Sequence, residues 1–178
     1  MQKVLFFIFV VLTLSSCTQR VDFNNLMEDD YINTAMAYPN STVKLYEVQA
    51  VMSKPCNAEE NEILASSTII QIGKDTIREI DRIFHDGKII EECDTLKQGV
   101  WINDFPIAID SIKYSLNDAL EIVRGYKSAP GEPFVTLRRP VMSPFRLQYI
   151  FGGQDTYYMF VDAITGEISI VEPTTVQD

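Results

Sequence analysis

Hydrophobic side chains recur along this chain at several spacings, and each change of spacing marks a change of element. From Val4 to Leu14 they form one run broken only by Thr13. From Phe23 they return every fourth residue, through Met27, Tyr31 and Ala35, which puts them on one face of a helix reaching about Tyr38. Asp22 is placed to cap that helix and Pro39-Asn40 to stop it. Thr42 to Met52 keeps no helical stripe and reads as a strand, followed by a loop at 53–61. Ser67 to Ile72 is β-branched and ends at Gly73, a second strand. Thr76 to Phe84 fits a helix through Ile77, Ile80 and Phe84, or a strand. The Asp86-Gly87 pair between apolar flanks favours the strand, as one arm of a hairpin returning over Lys88 to Glu92.

The second half has a simpler pattern. Ser115 with Asp118 three residues on makes a capping-box-like pair. Leu116, Ala119, Leu120 and Val123 then form an apolar stripe, with Gly125 near its end. Phe145, Leu147, Tyr149 and Phe151 alternate with Arg146 and Gln148, as in a half-buried strand. A turn at 152–155 leads to a strand over Thr156 to Asp162 with apolar side chains on both faces, expected to be central. Another turn at 163–166 precedes a last strand from Glu167 to Val171. The fold class is α+β, a helix packed on an antiparallel meander. An N-terminal α/β half is expected to cover the other sheet face, burying both Phe160 and Val161.

The first apolar run is shorter than the ~20 residues needed to cross a bilayer, and with Lys3 before it has the form of a signal-peptide core. It ends in Leu14-Ser15-Ser16-Cys17, which resembles the lipobox of bacterial lipoproteins. That resemblance implies cleavage after Ser16 and lipidation of Cys17, whose acyl chains would anchor the protein in a bilayer. Thr18 is not aspartate, so similarity to enterobacterial sorting implies the outer membrane, and no acidic cluster follows Cys17 at once, which favours its periplasmic face. The organisation expected is a signal peptide at 1–16, a tether at 17–22, an N-terminal half at 23–110 and a C-terminal half at 111–178.

Charge narrows the partners. Without its leader the chain carries 14 basic and 25 acidic residues, net −11, of which residues 17–110 hold −9. Such a protein repels phosphate backbones, so nucleic acid is excluded as a partner. Export permits disulfides. Cys56 and Cys93 either pair, closing a loop worth roughly 3–4 kcal/mol in the chain-entropy model, or remain as thiols.

Catalytic constellations are not found. His85, the single histidine, falls in a hairpin turn, without a G-x-S-x-G serine to serve. Zinc lacks a C-x-x-C and a second histidine. Glu59-Glu60 and Glu91-Glu92-Asp94 lack the calcium-loop pattern, and no phosphate-binding glycine fingerprint occurs. No cofactor is therefore expected. One basic stretch stands out: Arg124, Lys127, Arg138, Arg139 and Arg146 lie in a window whose single acid is Glu132. These guanidinium forks suit an acidic peptide or glycan. Equally, they could pair with the acidic N-terminal half and hold the two halves together.

The segment Ser115-Leu116-Asn117-Asp118-Ala119-Leu120, followed by Tyr158 and by Val161-Asp162-Ala163-Ile164-Thr165-Gly166-Glu167, resembles the PepSY domain family over residues 113–172. The residues themselves read as structural, with Thr165-Gly166 forming a turn and Asp162 accepting from its amides. The proline-rich stretch Ala129 to Pro144 departs from a minimal PepSY unit. A weaker likeness at 64–92 raises a helix–meander unit occurring twice, at 22–94 and 111–172. The resemblance implies a non-enzymatic envelope lipoprotein that binds a protein or peptide partner, with modulation of a protease as one form. The alternatives are a small carboxylate-dependent hydrolase and a structural accessory subunit of an envelope complex.

Overall fold

The computed structural model describes residues 20–171 apart from 57, 59–60, 127–129, 143–144 and 153–157. Cys17 and Lys127 therefore lie outside the described residues, as do Glu59-Glu60 and most of the turn expected at 152–155.

Asp22 caps the first helix by accepting from the Asn24 and Asn25 amides, and α1 runs Phe23–Ala37. The chain turns at Pro39-Asn40 into β1 (Val43–Met52), then β2 (Ile63–Ile72), β3 (Thr76–His85) and β4 (Lys88–Gln98). The ambiguous stretch at 76–84 is thus a strand. Asp86 and Gly87 both have positive φ, +50° and +72°, which the right-handed twist of a two-residue hairpin demands. A two-residue β5 (Asp104–Phe105) and a 3-10 turn (Ile109–Ser111) lead to α2 (Leu116–Arg124). Ser115 and Asp118 close a reciprocal capping box at its start. The C-terminal strands are β6 (Phe134–Pro140), β7 (Gln148–Phe151), β8 (Tyr158–Asp162) and β9 (Ile168–Val171).

The long strands form one antiparallel sheet in the order β4-β3-β2-β1-β6-β7-β8-β9. Each half is a helix followed by four long strands, and the first strands of the two halves pair, Val48 opposite Leu137 and Gln49 opposite Thr136. The halves therefore meet edge to edge, which corrects the expectation that the N-terminal half covers the second face of the C-terminal sheet. The cause is β6, which sits where prolines gave the sequence the look of a loop. Pro130 and Pro133 precede it, and Pro140 ends it where the ladder passes to β5. Prolines at strand ends remove no interior hydrogen bond.

Both helices pack on one face. Phe23, Met27, Val48, Ile70, Leu120, Val123, Leu137, Tyr149 and Val161 are buried between helices and sheet. The start of α1 meets the start of α2, where the Leu116 amide donates to Asn24 Oδ1. Tyr149 donates its hydroxyl to the Tyr114 carbonyl at 3.0 Å. On the opposite face Phe160 is only half-buried, whereas Val161 is fully buried.

The stripe of α1 is rotated from the one its apolar spacing predicts. Asp30 and Thr34 are buried, and Tyr31 and Ala35 only partly so. The reason lies on β3. Arg82 grips the Asp30 carboxylate with both terminal nitrogens, 2.7 Å each, and Thr68 donates to the same group at 2.7 Å. Arg78 donates to the Thr34 hydroxyl and forms two bonds to Asp94. Its hydrogen bonds hold the Asp94 carboxyl below the ordinary aspartate range.

The two cysteines do not pair. Cys56 is buried beneath the start of β6, its thiol donating to the Glu132 carbonyl at 3.0 Å, and Cys93 is an exposed thiol on β4. Four inter-strand steps separate β4 from β6, about 19 Å along the sheet, far beyond the ~7 Å that a disulfide spans between Cα atoms. The disulfide alternative is thereby corrected to two free thiols.

Candidate functional site

Gln71, at the end of β2, fixes the segment that leaves β4. Its amide donates to the Thr76 and Gly99 carbonyls, and its oxygen accepts from the Trp101 amide. The Trp101 indole then donates to Asp104 at 2.8 Å. Asp104 is buried and accepts from Arg138 Nε at 2.7 Å, and Arg138 also approaches Glu47 at 3.6 Å. Burial raises the Glu47 carboxyl above its ordinary range, opposed by the Gln49 hydrogen bond and the Arg138 charge and reinforced by Asp104.

This polar brace holds an apolar platform in water. The pair β5–β6 places Phe105 opposite Arg139, and the Val141 amide extends the ladder to the Asn103 carbonyl. The Arg139 guanidinium lies 5.4 Å from the centre of the Phe105 ring and donates to the Phe145 carbonyl. Phe105 and Phe145 meet edge to face at 6.2 Å. Phe145 adopts φ +58°, a left-handed conformation costing ~1–2 kcal/mol for a bulky residue. Ile102 and Met142 are 74% and 76% exposed, and Val100, Phe105, Val141 and Phe145 are also exposed. Exposed apolar side chains scattered singly carry no meaning, but these lie on two segments, 100–105 and 141–145, that the β5–β6 ladder and the Phe105–Phe145 contact bring together, and a group so gathered marks an interaction surface. Arginine, aromatics and methionine are also the side chains that interfaces favour.

The platform and the chain's entry point lie at opposite ends of the sheet. Ile107 bonds to Leu45 at the start of β1, beside the platform. The start of α1 lines a cavity of about 350 Å³ with Met52 and Ile63, at the far end of β1. Ten residues of β1 span about 33 Å between those ends.

Of the five basic residues picked out by sequence, the four described ones do not form one patch. Arg138 belongs to the brace and Arg139 to the platform. Arg138 bonds to Asp104 and lies 3.6 Å from Glu47, both acids of the N-terminal half, in line with a role in holding the halves together. Arg146 instead pairs with Glu167 at 2.6 Å and lies 3.8 Å from Asp162, both in its own half. Arg124 lines the cavity at the opposite end. Asp162 accepts from the Ile164 and Thr165 amides, the turn-forming role its motif implies. His85 is exposed in its hairpin turn. What sequence reasoning missed is the apolar component. Val100, Ile102, Val141 and Met142 have no period, and the signal available was apolar residues inside segments otherwise marked as loops.

No family profile matches the sequence, PepSY included, and no curated protein does. Among solved structures, a Clostridium difficile 630 protein described as a lipoprotein shares the fold, with a TM-score of 0.50 at 10% identity over 88% of this chain and 97% of that one. At that identity the likeness shows the fold: an α+β chain with a large antiparallel sheet and two helices.

Proposed function

We propose that this chain is a non-enzymatic envelope lipoprotein, anchored through Cys17, that binds a protein partner with the apolar platform at the distal end of its sheet. The observation that carries the reading is the platform itself. Six large apolar side chains are held in water by a half-buried Trp101–Asp104–Arg138 brace centred on the buried Asp104, and a fold has no need of such an arrangement for its own core. The lipobox-like Leu14 to Cys17 supports the anchor, as does a structural neighbour described as a lipoprotein. No described helix is long and apolar enough to cross a membrane. A tether of residues 18–22 reaches at most about 18 Å from the lipid and joins the end of the sheet opposite the platform. The platform therefore points away from the anchoring bilayer and toward a protein. The helix-plus-four-strand order of residues 115–171 supports the PepSY-like reading, and with it a protease as one class of partner. Placement in the outer membrane rests on Thr18, and the periplasmic face on the lack of an acidic cluster directly after Cys17.

The test compares the native protein with an Ile102→Ser, Met142→Ser double variant, whose two positions are too exposed to disturb folding. Recovery from solubilised envelopes should yield a partner at fixed stoichiometry with the native protein and lose it with the variant. Equal recovery would sink the reading. Flotation of the unlipidated chain with anionic vesicles, abolished by the same variant, would show that the platform is a membrane face instead. Labelling with a clickable fatty acid tests the anchor, and Cys17→Ala should abolish it.

A further inference from the structure

The helix-free face of the sheet carries a groove of about 310 Å³ that crosses β4, β3, β2, β1 and β6. One row of its floor is apolar: Ile83, Ala65, Val51 and Phe134 lie side by side on successive strands. The neighbouring row is Cys93, Asp81, Ser67, Gln49 and Thr136. Glu91 stands opposite Ile83, closing the β4 end.

The carboxylates of this region divide sharply. Glu79 is paired with Lys97, Glu92 with Arg82 and Asp94 with Arg78. Asp81 and Glu91, the two that line the groove, have no ion-pair partner among the described residues. They are diagonal neighbours across the β3–β4 ladder, so their side chains start about 7–8 Å apart and can close on one cation from two sides. Lys97, paired with Glu79, is near enough for its charge to act on Asp81, but no cation among the described residues forms an ion pair with either carboxylate.

From this juxtaposition we infer that the groove binds an extended segment of a partner protein in which a lysine or arginine is flanked by apolar side chains. The cation sits between Asp81 and Glu91, and the apolar neighbours rest on Val51, Ala65 and Phe134. Length selects a peptide over a small amine. The groove spans four inter-strand steps, about 19 Å, which matches roughly six extended residues at ~3.3 Å each. Guanidinium suits the site best, because its fork can bond two carboxylates at once. This surface is separate from the distal platform, and the two proposals stand or fall independently.

The probe is a fluorescein-labelled hexapeptide of alternating valine and arginine, titrated by anisotropy into the mature chain carrying Cys17→Ser. Its controls alternate glycine with arginine, and valine with glutamate. Binding of the valine–arginine peptide is expected, with both controls at least ten-fold weaker. Asp81→Asn with Glu91→Gln should weaken it ten-fold or more. Glu28→Gln with Asp29→Asn, an equal charge change on the exposed side of α1, should leave it unchanged. Cys93 gives a second readout. Cys56 is buried, and desolvation raises its thiol to about 12, so maleimide at neutral pH reports on Cys93, which bound peptide should protect. Absence of binding, equal binding of the glycine–arginine peptide, equal weakening by the two double variants, or unprotected Cys93 would each overturn the inference.

Discussion

Replacing Asp30 by alanine should be among the most damaging changes to this fold, although the residue lies in the middle of a helix of modest apolar character. Asp30 is 2% exposed and receives both terminal nitrogens of Arg82 and the hydroxyl of Thr68, itself 0% exposed. Removing one partner of a buried ion pair costs ~3–5 kcal/mol, because the other charge stays desolvated. Arg82 would retain Glu92, whose side chain is 44% exposed, which places the loss near the lower limit. Stranding the Thr68 hydroxyl adds about 1 kcal/mol or more. The sum is about 4 kcal/mol, a large share of the 5–15 kcal/mol that holds a typical domain together. With a urea slope of about 2 kcal/mol per molar, the unfolding midpoint should fall by roughly 2 M. Arg82→Met alone should cost about 3 kcal/mol, since it leaves the carboxylate buried. The double variant removes both charges and should cost about 2 kcal/mol, far less than the two single losses together. Additive losses in that cycle, or a midpoint for Asp30→Ala within 0.3 M or so of the parent, would refute the claim that this pair clamps α1 to the β2–β4 hairpins.

Four further outcomes follow from the same geometry. Val161→Ala, at a fully buried position, should cost about 2 kcal/mol from lost transfer and cavity terms. Phe160→Ala, on the half-covered face, should cost less than the ~3–5 kcal/mol of a buried phenylalanine; a loss in that range by urea melt would mean that both faces are covered. Gly166 has φ +72°, and an added Cβ would stand 2.6 Å from the Tyr114 ring. Gly166→Ala should therefore cost about 2 kcal/mol or more, from strain and overpacking together, and an unchanged midpoint would rule that contact out. Glu47 is the pH-sensitive group of the brace. Burial raises its folded-state pKa above the ordinary glutamate value, so the folded state binds its proton more tightly than the unfolded one. That contribution is present in full below the unfolded value and is lost as pH rises through the folded one. Glu47→Gln should accordingly gain stability relative to the parent between pH 4 and pH 7, and a widening loss over that range would contradict the assignment.

Local chemistry was legible in the sequence wherever one residue sets a backbone angle or a cap. Asp22, the Ser115–Asp118 pair, Asp86-Gly87 and Thr165-Gly166 each do what their side chains dictate. The features that were not legible depend on partners distant in sequence. The buried stripe of α1 turns toward Asp30 and Thr34 because Arg82 and Arg78 wait on β3, more than forty residues away. Strand β6 hid among four prolines, yet Phe134 to Leu137 is the β-branched and aromatic run that a strand favours. Its pairing with β1 is what turns two halves into one sheet, and alternation alone cannot name a strand's neighbour. The basic window was visible as charge, but its described members separate: Arg138 and Arg139 are consecutive on β6 and so face opposite ways, Arg146 lies ahead of β7, and Arg124 ends α2 at the far end of the sheet. The platform was least visible, since its apolar residues sit in segments without period and their exposure is set by Gln71, Trp101 and Asp104.

The central claim is that the distal platform is the surface that meets a protein. A photo-cross-linking side chain placed at Met142, with Met36 on the exposed face of α1 as reference, tests it in intact cells. Both positions are more than 70% exposed, so neither should perturb the fold. Irradiation should give one discrete protein adduct from position 142, identifiable by mass spectrometry, and none of that mass from position 36. Lipid adducts at 142, no adduct there, or the same adduct from both positions would contradict the account.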